Sequence, residues 1–289
     1  MTIFITTANG MFGMRTLEYL AGTEWNVRAM VRREPRFPAD AANIEVVRGD
    51  LDRPETLPSL LEGVDRIFLS SPMHPRLAER EIGLLKIAAE AGVRHVVKIY
   101  GAVRHDLDQL DQQNVRVIEF LKSSGLAWTL VSPNSVMETS LLPMAASIRE
   151  EGIIYGMSAQ GRIGLVALDD VARTVARVLT TDGHFDRNYE ITGPDALTLF
   201  DVAETFSDVL GRKIIYKDFE EHAFAALIQE ATGIPGERLE MEILCHLRAW
   251  REGKASLVTD TYARLTGDSP TTLADWISSN RNAFDTVCG

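Results

Sequence analysis

The chain has 289 residues, 45% hydrophobic and 25% charged, with a formal net charge of -11. That is the composition of a globular protein able to bury a substantial core. The surplus of acid argues against nucleic acid or an anionic membrane as the main partner, and no apolar run reaches membrane-spanning length. Met1 leads straight into a strand-like segment with no signal-peptide pattern, so a cytoplasmic protein is expected. Cys245 and Cys288 then read as free thiols, and no Cys/His spacing points to a metal.

Ile3 to Thr7 is an uncharged β-branched and aromatic run, which reads as a buried parallel strand. From Met14 the pattern turns helical, with Met14, Leu17, Leu20 and Ala21 on one face. Between them lies Thr7-x-x-Gly10-x-x-Gly13, a GxxGxxG spacing whose first glycine is threonine. Strand, glycine turn and helix together present backbone N–H groups to a pyrophosphate. The turn residues Thr6, Thr7, Asn9, Gly10, Met11, Phe12 and Gly13 are therefore candidate cofactor ligands.

Trp25 to Val31 reads as the second strand, ending in Arg32-Arg33. Arg32 stands nineteen residues after Gly13, where an NAD site would place an acid on the ribose hydroxyls. A guanidinium there suits a 2′-phosphate instead, so NADP (NADPH) is expected over NAD, with Arg32 and Arg33 as readers. Ile44 to Arg48 is the third strand, followed by Asp50 and Leu51 at the expected adenine end. Pro54 to Leu61 reads as a short helix capped by Asp52. Val64 to Leu69 is strand four, closed by Ser70, Ser71 and Pro72. A helix from Arg76 to Ala91 ends at Gly92, and strand five runs from Val93 to Tyr100. A helix with Val117, Ile118 and Leu121 stops at Gly125, before strand six, Ala127 to Val131, and Ser132-Pro133-Asn134. Such βα alternation predicts an α/β fold, a Rossmann-type parallel sheet with helices on both faces.

Beyond Asn134 the rhythm breaks. A Met- and Leu-rich helix over Val136 to Glu150 is expected, then a strand at Ile153 to Gly156. Asp169 and Asp170 read as caps of the helix Val171 to Leu179, and Asn188 to Thr192 as a seventh strand returning to the sheet. The rest is mostly helical with one strand at Lys213 to Tyr216. The expected division is a cofactor domain of residues 1–134 plus about 165–195, and a smaller, mostly helical C-terminal lobe of about 135–164 plus 196–289 that covers the substrate.

No tyrosine is followed four residues later by lysine: Tyr19, Tyr100, Tyr155, Tyr189, Tyr216 and Tyr262 precede Thr, Arg, Ala, Gly, Glu and Thr. The Tyr-x-x-x-Lys route for proton transfer is therefore absent as a local motif. Hydride transfer to a readily reduced acceptor needs mainly alignment. Candidate catalytic groups are Lys98 and Tyr100 at the end of strand five and His105 in the loop that follows. His74, Tyr100, Asn134, Met137 and Phe224 are candidates for the substrate pocket, and Lys98 and Pro133 complete the cofactor set. Asp106, Asp108 and Asp111 lack the glycine and glutamate spacing of a calcium loop and read as helix-start solvation.

Several stretches together resemble the NmrA-like branch of the atypical short-chain dehydrogenases/reductases. They are Ile5 to Gly13, Val46 to Leu51, Ala91 to Lys98, Ser124 to Leu130, Asp169 to Ala172, Tyr189 to Pro194, and Gly253 to Ala255 before Val258 to Asp260. The resemblance spans nearly the whole chain. It implies an NADP-binding Rossmann fold and a place among quinone reductases, triphenylmethane-dye reductases and NADPH-sensing regulators. Two positions depart from it: Thr7 replaces a glycine, and Ser132 replaces an arginine. The expected activity is NADPH-dependent reduction of a small conjugated or aromatic acceptor (quinone, dye, imine or enone) by a monomer or homodimer. The alternative is a redox sensor that binds NADP(H) and acts through a protein partner.

Overall fold

A computed structural model describes residues 1–38, 40–103 and 109–285. The chain runs β1 (Thr2–Ile5), α1 (Met11–Leu20), β2 (Asn26–Val31), β3 (Ile44–Arg48), α2 (Pro58–Leu61), β4 (Arg66–Leu69), α3 (Leu77–Glu90), β5 (His95–Ile99), α4 (Gln109–Ser123) and β6 (Ala127–Pro133). It continues with α5 (Met137–Ser140), α6 (Ala145–Glu151), β7 (Ile153–Gly156), α7 (Leu168–Thr180), β8 (Arg187–Ile191), α8 (Leu199–Leu210) and β9 (Ile215–Asp218). The last elements are α9 (Glu221–Thr232), α10 (Gly236–Leu239), α11 (Cys245–Arg251), α12 (Thr261–Thr266), α13 (Leu273–Ser279) and α14 (Arg281–Phe284).

Seven strands form one sheet in the order β3-β2-β1-β4-β5-β6-β8, and β1 to β6 pair in parallel. The chain winds outward from β1 to β3, then restarts on the other side with β4. The carboxyl ends of β1 and β4, adjacent in register at Ile5 and Phe68, therefore flank a reversal of strand order. Ligands of open α/β sheets bind at such a crevice. Phe4, Leu57, Leu61, Ile67, Leu69, Leu84, Leu85 and Val96 share one buried cluster on the sheet. That is why the central strands read as continuous apolar runs.

The chain divides into two compact units: Met1–Tyr100 with Gln109–Ser132 and Leu168–Tyr189, and a second built chiefly of Pro133–Ala167 and Glu190 onward. The second unit holds a two-stranded parallel sheet, β7-β9. Its own core gathers Met137, Leu141, Ile154, Phe206, Phe224, Trp250, Trp276 and Phe284. Among the described residues no helix is long and apolar enough to cross a membrane.

Three local expectations need correction. The helix expected over Val136 to Glu150 is broken into α5, a 3-10 turn at Leu142–Met144 and α6. Pro143 has no N–H to donate and cannot continue α5. For the same reason Pro58 splits the Pro54 to Leu61 helix into a 3-10 turn and α2, and Asp52 does not cap it but accepts from Arg80. Asp169 and Asp170 lie inside the first turn of α7 rather than before it. There their charge suits the helix dipole, and Asp169 accepts from Tyr19 at 2.5 Å and Arg15 at 2.7 Å, tying α7 to α1.

Candidate dinucleotide site

The turn after β1 is locked to the end of β4. Thr6 Oγ1 donates to the Ser70 carbonyl at 2.7 Å and accepts from the Ser70 N–H at 3.1 Å. Thr7 Oγ1 donates to that same carbonyl at 2.9 Å. Threonine in place of the first fingerprint glycine is thus accommodated without strain. The described non-glycine residues at positive φ are Ala159 and Asp186, not Thr7. Of the other two glycines, Gly13 is required by close approach and Gly10 sits in a tight contact. A Cβ on Gly13 would lie 2.2 Å from the Thr7 carbonyl oxygen, and one on Gly10 3.1 Å from it. No side chain caps α1 at Gly10. The first-turn N–H groups of Met11, Phe12 and Gly13 are therefore open to an anion at the positive end of the helix.

In front of this turn is a cavity of about 370 Å³. Its wall takes Thr6, Thr7, Asn9 and Gly10 from the turn, Met30 to Arg33 and Arg36 from the end of β2 and beyond, and Asp50 to Asp52 from beyond β3. Ser71 and Pro72 after β4, and Arg80 from α3, complete it. Ten residues expected from sequence to bind cofactor therefore line one cavity: Thr6, Thr7, Asn9, Gly10, Arg32, Arg33, Asp50, Leu51, Ser71 and Pro72.

The charges around it are sorted. Arg80 grips Asp52 with two bonds of 2.8 and 2.5 Å. The Arg80 hydrogen bond holds the Asp52 carboxyl below the usual carboxylate range. Glu34, the next acid along the chain after the arginine pair, turns to an ion pair with Arg48. Among the described residues, no hydrogen bond or ion pair engages the guanidinium groups of Arg32, Arg33 or Arg36. Three cations without counter-ions facing one cavity suit a di-anionic group such as a ribose 2′-phosphate.

The other expected site residues fall elsewhere. Ser70 acts through its backbone, and Pro133 is buried outside the cavity wall. Lys98 is 1% exposed, with its ammonium 2.6 Å from Glu81, whose other oxygen accepts from Ser71 at 2.5 Å. Lys98 thus sits behind the wall and supports it through Ser71. Tyr100 is 7% exposed and its hydroxyl donates to Asp111 at 2.6 Å. The Nδ1 of His74 accepts from the Arg76 N–H at 3.0 Å, closing a turn. In the second unit, Met137 and Phe224 are buried in the apolar core, and the Asn134 amide donates to the Ala255 carbonyl at 2.9 Å. Ser132, the second departure from the resemblance, donates to Asn188 at 2.7 Å. His105, Arg104, Asp106, Asp108 and Cys288 lie outside the described residues. Cys245 is buried, its thiol directed at the Met241 carbonyl.

Arg36, Asp52, Arg80 and Glu81 are wall or support residues that sequence reasoning missed. Arg36 carries a usable signal, as a third arginine within five positions of the first. Glu81 carries none, since an acid in mid-helix reads as solvent-facing until the fold buries it.

Comparison with known proteins agrees with this geometry. The family model described as NAD(P)H-binding matches residues 7–182. A (4-alkanoyl-5-oxo-2,5-dihydrofuran-3-yl)methyl phosphate reductase of Streptomyces griseus is 30% identical, over 98% of this chain and 99% of its own. The NAD(P)H azoreductase of Xenophilus azovorans is 29% identical over the same shares. The crystal structure of the NADPH-dependent quinone oxidoreductase of Escherichia coli complexed with NADPH superposes with a TM-score of 0.86 at 27% identity, covering 97% of this chain and 100% of that one. The chain belongs to the NAD(P)H-binding family and, within it, to the NmrA-like atypical short-chain dehydrogenases/reductases. By class it is an NAD(P)H-dependent oxidoreductase.

Proposed function

We propose that the chain is an NADPH-dependent reductase of a small conjugated or aromatic acceptor, with quinones and azo compounds as the first classes to try. The observation that carries this is the cavity at the glycine turn, with Arg32, Arg33 and Arg36 on its wall and, among the described residues, no acid in an ion pair with them. The backbone N–H groups of α1 would hold the pyrophosphate, Ser71 a ribose or amide donor, and the arginines the 2′-phosphate. A bound NADPH supplies the hydride: with one proton and a two-electron acceptor it gives NADP⁺ and the reduced acceptor. The relatives named for azo and quinone substrates favour acceptors of this kind.

Lys98 and Tyr100 were candidate proton donors, and both are committed to carboxylates. An electron-poor acceptor takes its proton from solvent after the hydride arrives, so neither side chain needs to act as general acid. The test is NADPH oxidation by the purified chain against quinones, azo dyes, triarylmethanes, imines and enones. Turnover with at least one class is expected. NADPH binding with no turnover across the whole panel would favour the sensor reading instead.

A further inference from the structure

The three unpaired arginines need something to hold them at the cavity, because the segment carrying them has no regular structure. Residues 32–38 follow β2 as bends and coil. Two hydrogen bonds tie that segment to the glycine turn, and both come from one side chain. Asn9 Nδ2 donates to the Glu34 carbonyl at 2.8 Å, and Asn9 Oδ1 accepts from the Arg36 N–H at 2.7 Å. Among the described residues, no other hydrogen bond reaches the backbone of residues 33–38. The side chain of Glu34 is drawn off to Arg48, away from the cavity.

We infer that Asn9 is a positioning residue for cofactor selectivity, holding the loop so that Arg36 joins Arg32 and Arg33 on the 2′-phosphate. The inference rests on the NADPH reading above and deepens it. An amide is the side chain for this task, since it offers one donor and one acceptor at the same tip and spans a carbonyl and an N–H two residues apart. Its contribution is to reduce the loop's freedom before the cofactor arrives, so that ordering the arginines is not charged against binding. The 2′-phosphate meets the arginine loop, while the pyrophosphate meets the turn and α1. Loosening the loop should therefore weaken NADPH and leave NADH largely unchanged.

The experiment is calorimetric titration of NADPH and NADH into the wild type, Asn9→Ala, Arg36→Ala and the double variant. Asn9→Ala should raise the Kd for NADPH at least fivefold while moving that for NADH less than twofold. In the double variant the loss should fall well short of the product of the two single losses, because both act on one contact. Asn9→Ser, polar but too short to bridge both groups, repeats the measurement should Asn9→Ala prove unstable. Equal weakening of both cofactors would make Asn9 a turn or pyrophosphate residue and overturn the inference, as would no weakening at all. A wild type with no preference for NADPH would instead defeat the underlying reading, a result distinct from either.

Discussion

At the scale of single residues, the buried pair Lys98–Glu81 gives a lysine at a strand end a structural partner. Strand alternation puts Lys98 and Tyr100 on one side at the carboxyl end of β5, where a catalytic lysine would stand. The fold instead closes α3 over Lys98 and leaves both partners about 1% exposed. Two charges so deeply buried are held by each other and by Ser71, and removing one leaves the other uncompensated. Lys98→Met should cost about 3–5 kcal/mol of stability. Replacing both, as Lys98→Met with Glu81→Leu, should recover much of that loss. Urea midpoints of the three variants check it. A single variant as stable as the wild type would show that the pair is solvated.

At the scale of elements, the βα unit at the N-terminus was legible because its signals are local. A β-branched run, a glycine spacing and a helical face lie within twenty residues, and the structure joins them through contacts between near neighbours. Gly13 is the tightest of these contacts. Gly13→Ala should push α1 off the Thr7 carbonyl, destabilising the chain by about 1–3 kcal/mol and lowering affinity for NADPH and NADH together. Thermal unfolding and titration read the two effects, and an alanine variant with unchanged stability would mean that α1 can slide at no cost. Less legible were elements whose fate depends on one residue against a strong pattern. Apolar periodicity favoured a single helix from Val136, but Pro143 divides it. The acids Asp169 and Asp170 resembled caps, but the helix begins at Leu168 and Asp169 is taken by Tyr19 and Arg15. Arg36, Glu81 and the bridging role of Asn9 were beyond reach for a further reason. Each depends on partners 10 to 27 residues away in sequence, whose orientation only the folded chain sets.

At the scale of the whole molecule, stability should fall in mild acid, and His95 is one identifiable cause. Thr129 donates to the His184 carbonyl at 2.5 Å, so it accepts from His95 Nε2–H at 2.8 Å. His95 Nδ1 is then a buried acceptor with no partner among the described residues, and a proton added there finds nothing to bond. Burial, with the Arg66 guanidinium nearby, pushes the imidazole down to about 4 from its ordinary 6.5. The unfolded chain therefore binds the proton more readily than the folded one. The stability His95 contributes is present above pH 6.5 and lost progressively as pH falls towards 4. Between pH 7 and 5 the loss should be about 2 kcal/mol. His95→Gln should flatten the profile by that amount in denaturant titrations at the two pH values, and an unchanged slope would remove His95 as the cause.

The same scale joins the fold to its function. Strand order reverses between β1 and β4, the glycine turn and the arginine loop meet at that end of the sheet, and the cavity there carries cationic charge on a chain whose net charge is -11. On the NADPH reading, such a positive site on an acidic protein would be selective by electrostatics, drawing in an anionic cofactor. The most direct measurement is titration of NADPH and NADH into the wild type and Arg32→Ala under one buffer and salt concentration. The wild type should bind NADPH more than tenfold more tightly than NADH, and Arg32→Ala should lose most of that preference by weakening NADPH alone. Equal affinities in the wild type, or a preference untouched in Arg32→Ala, would contradict the account.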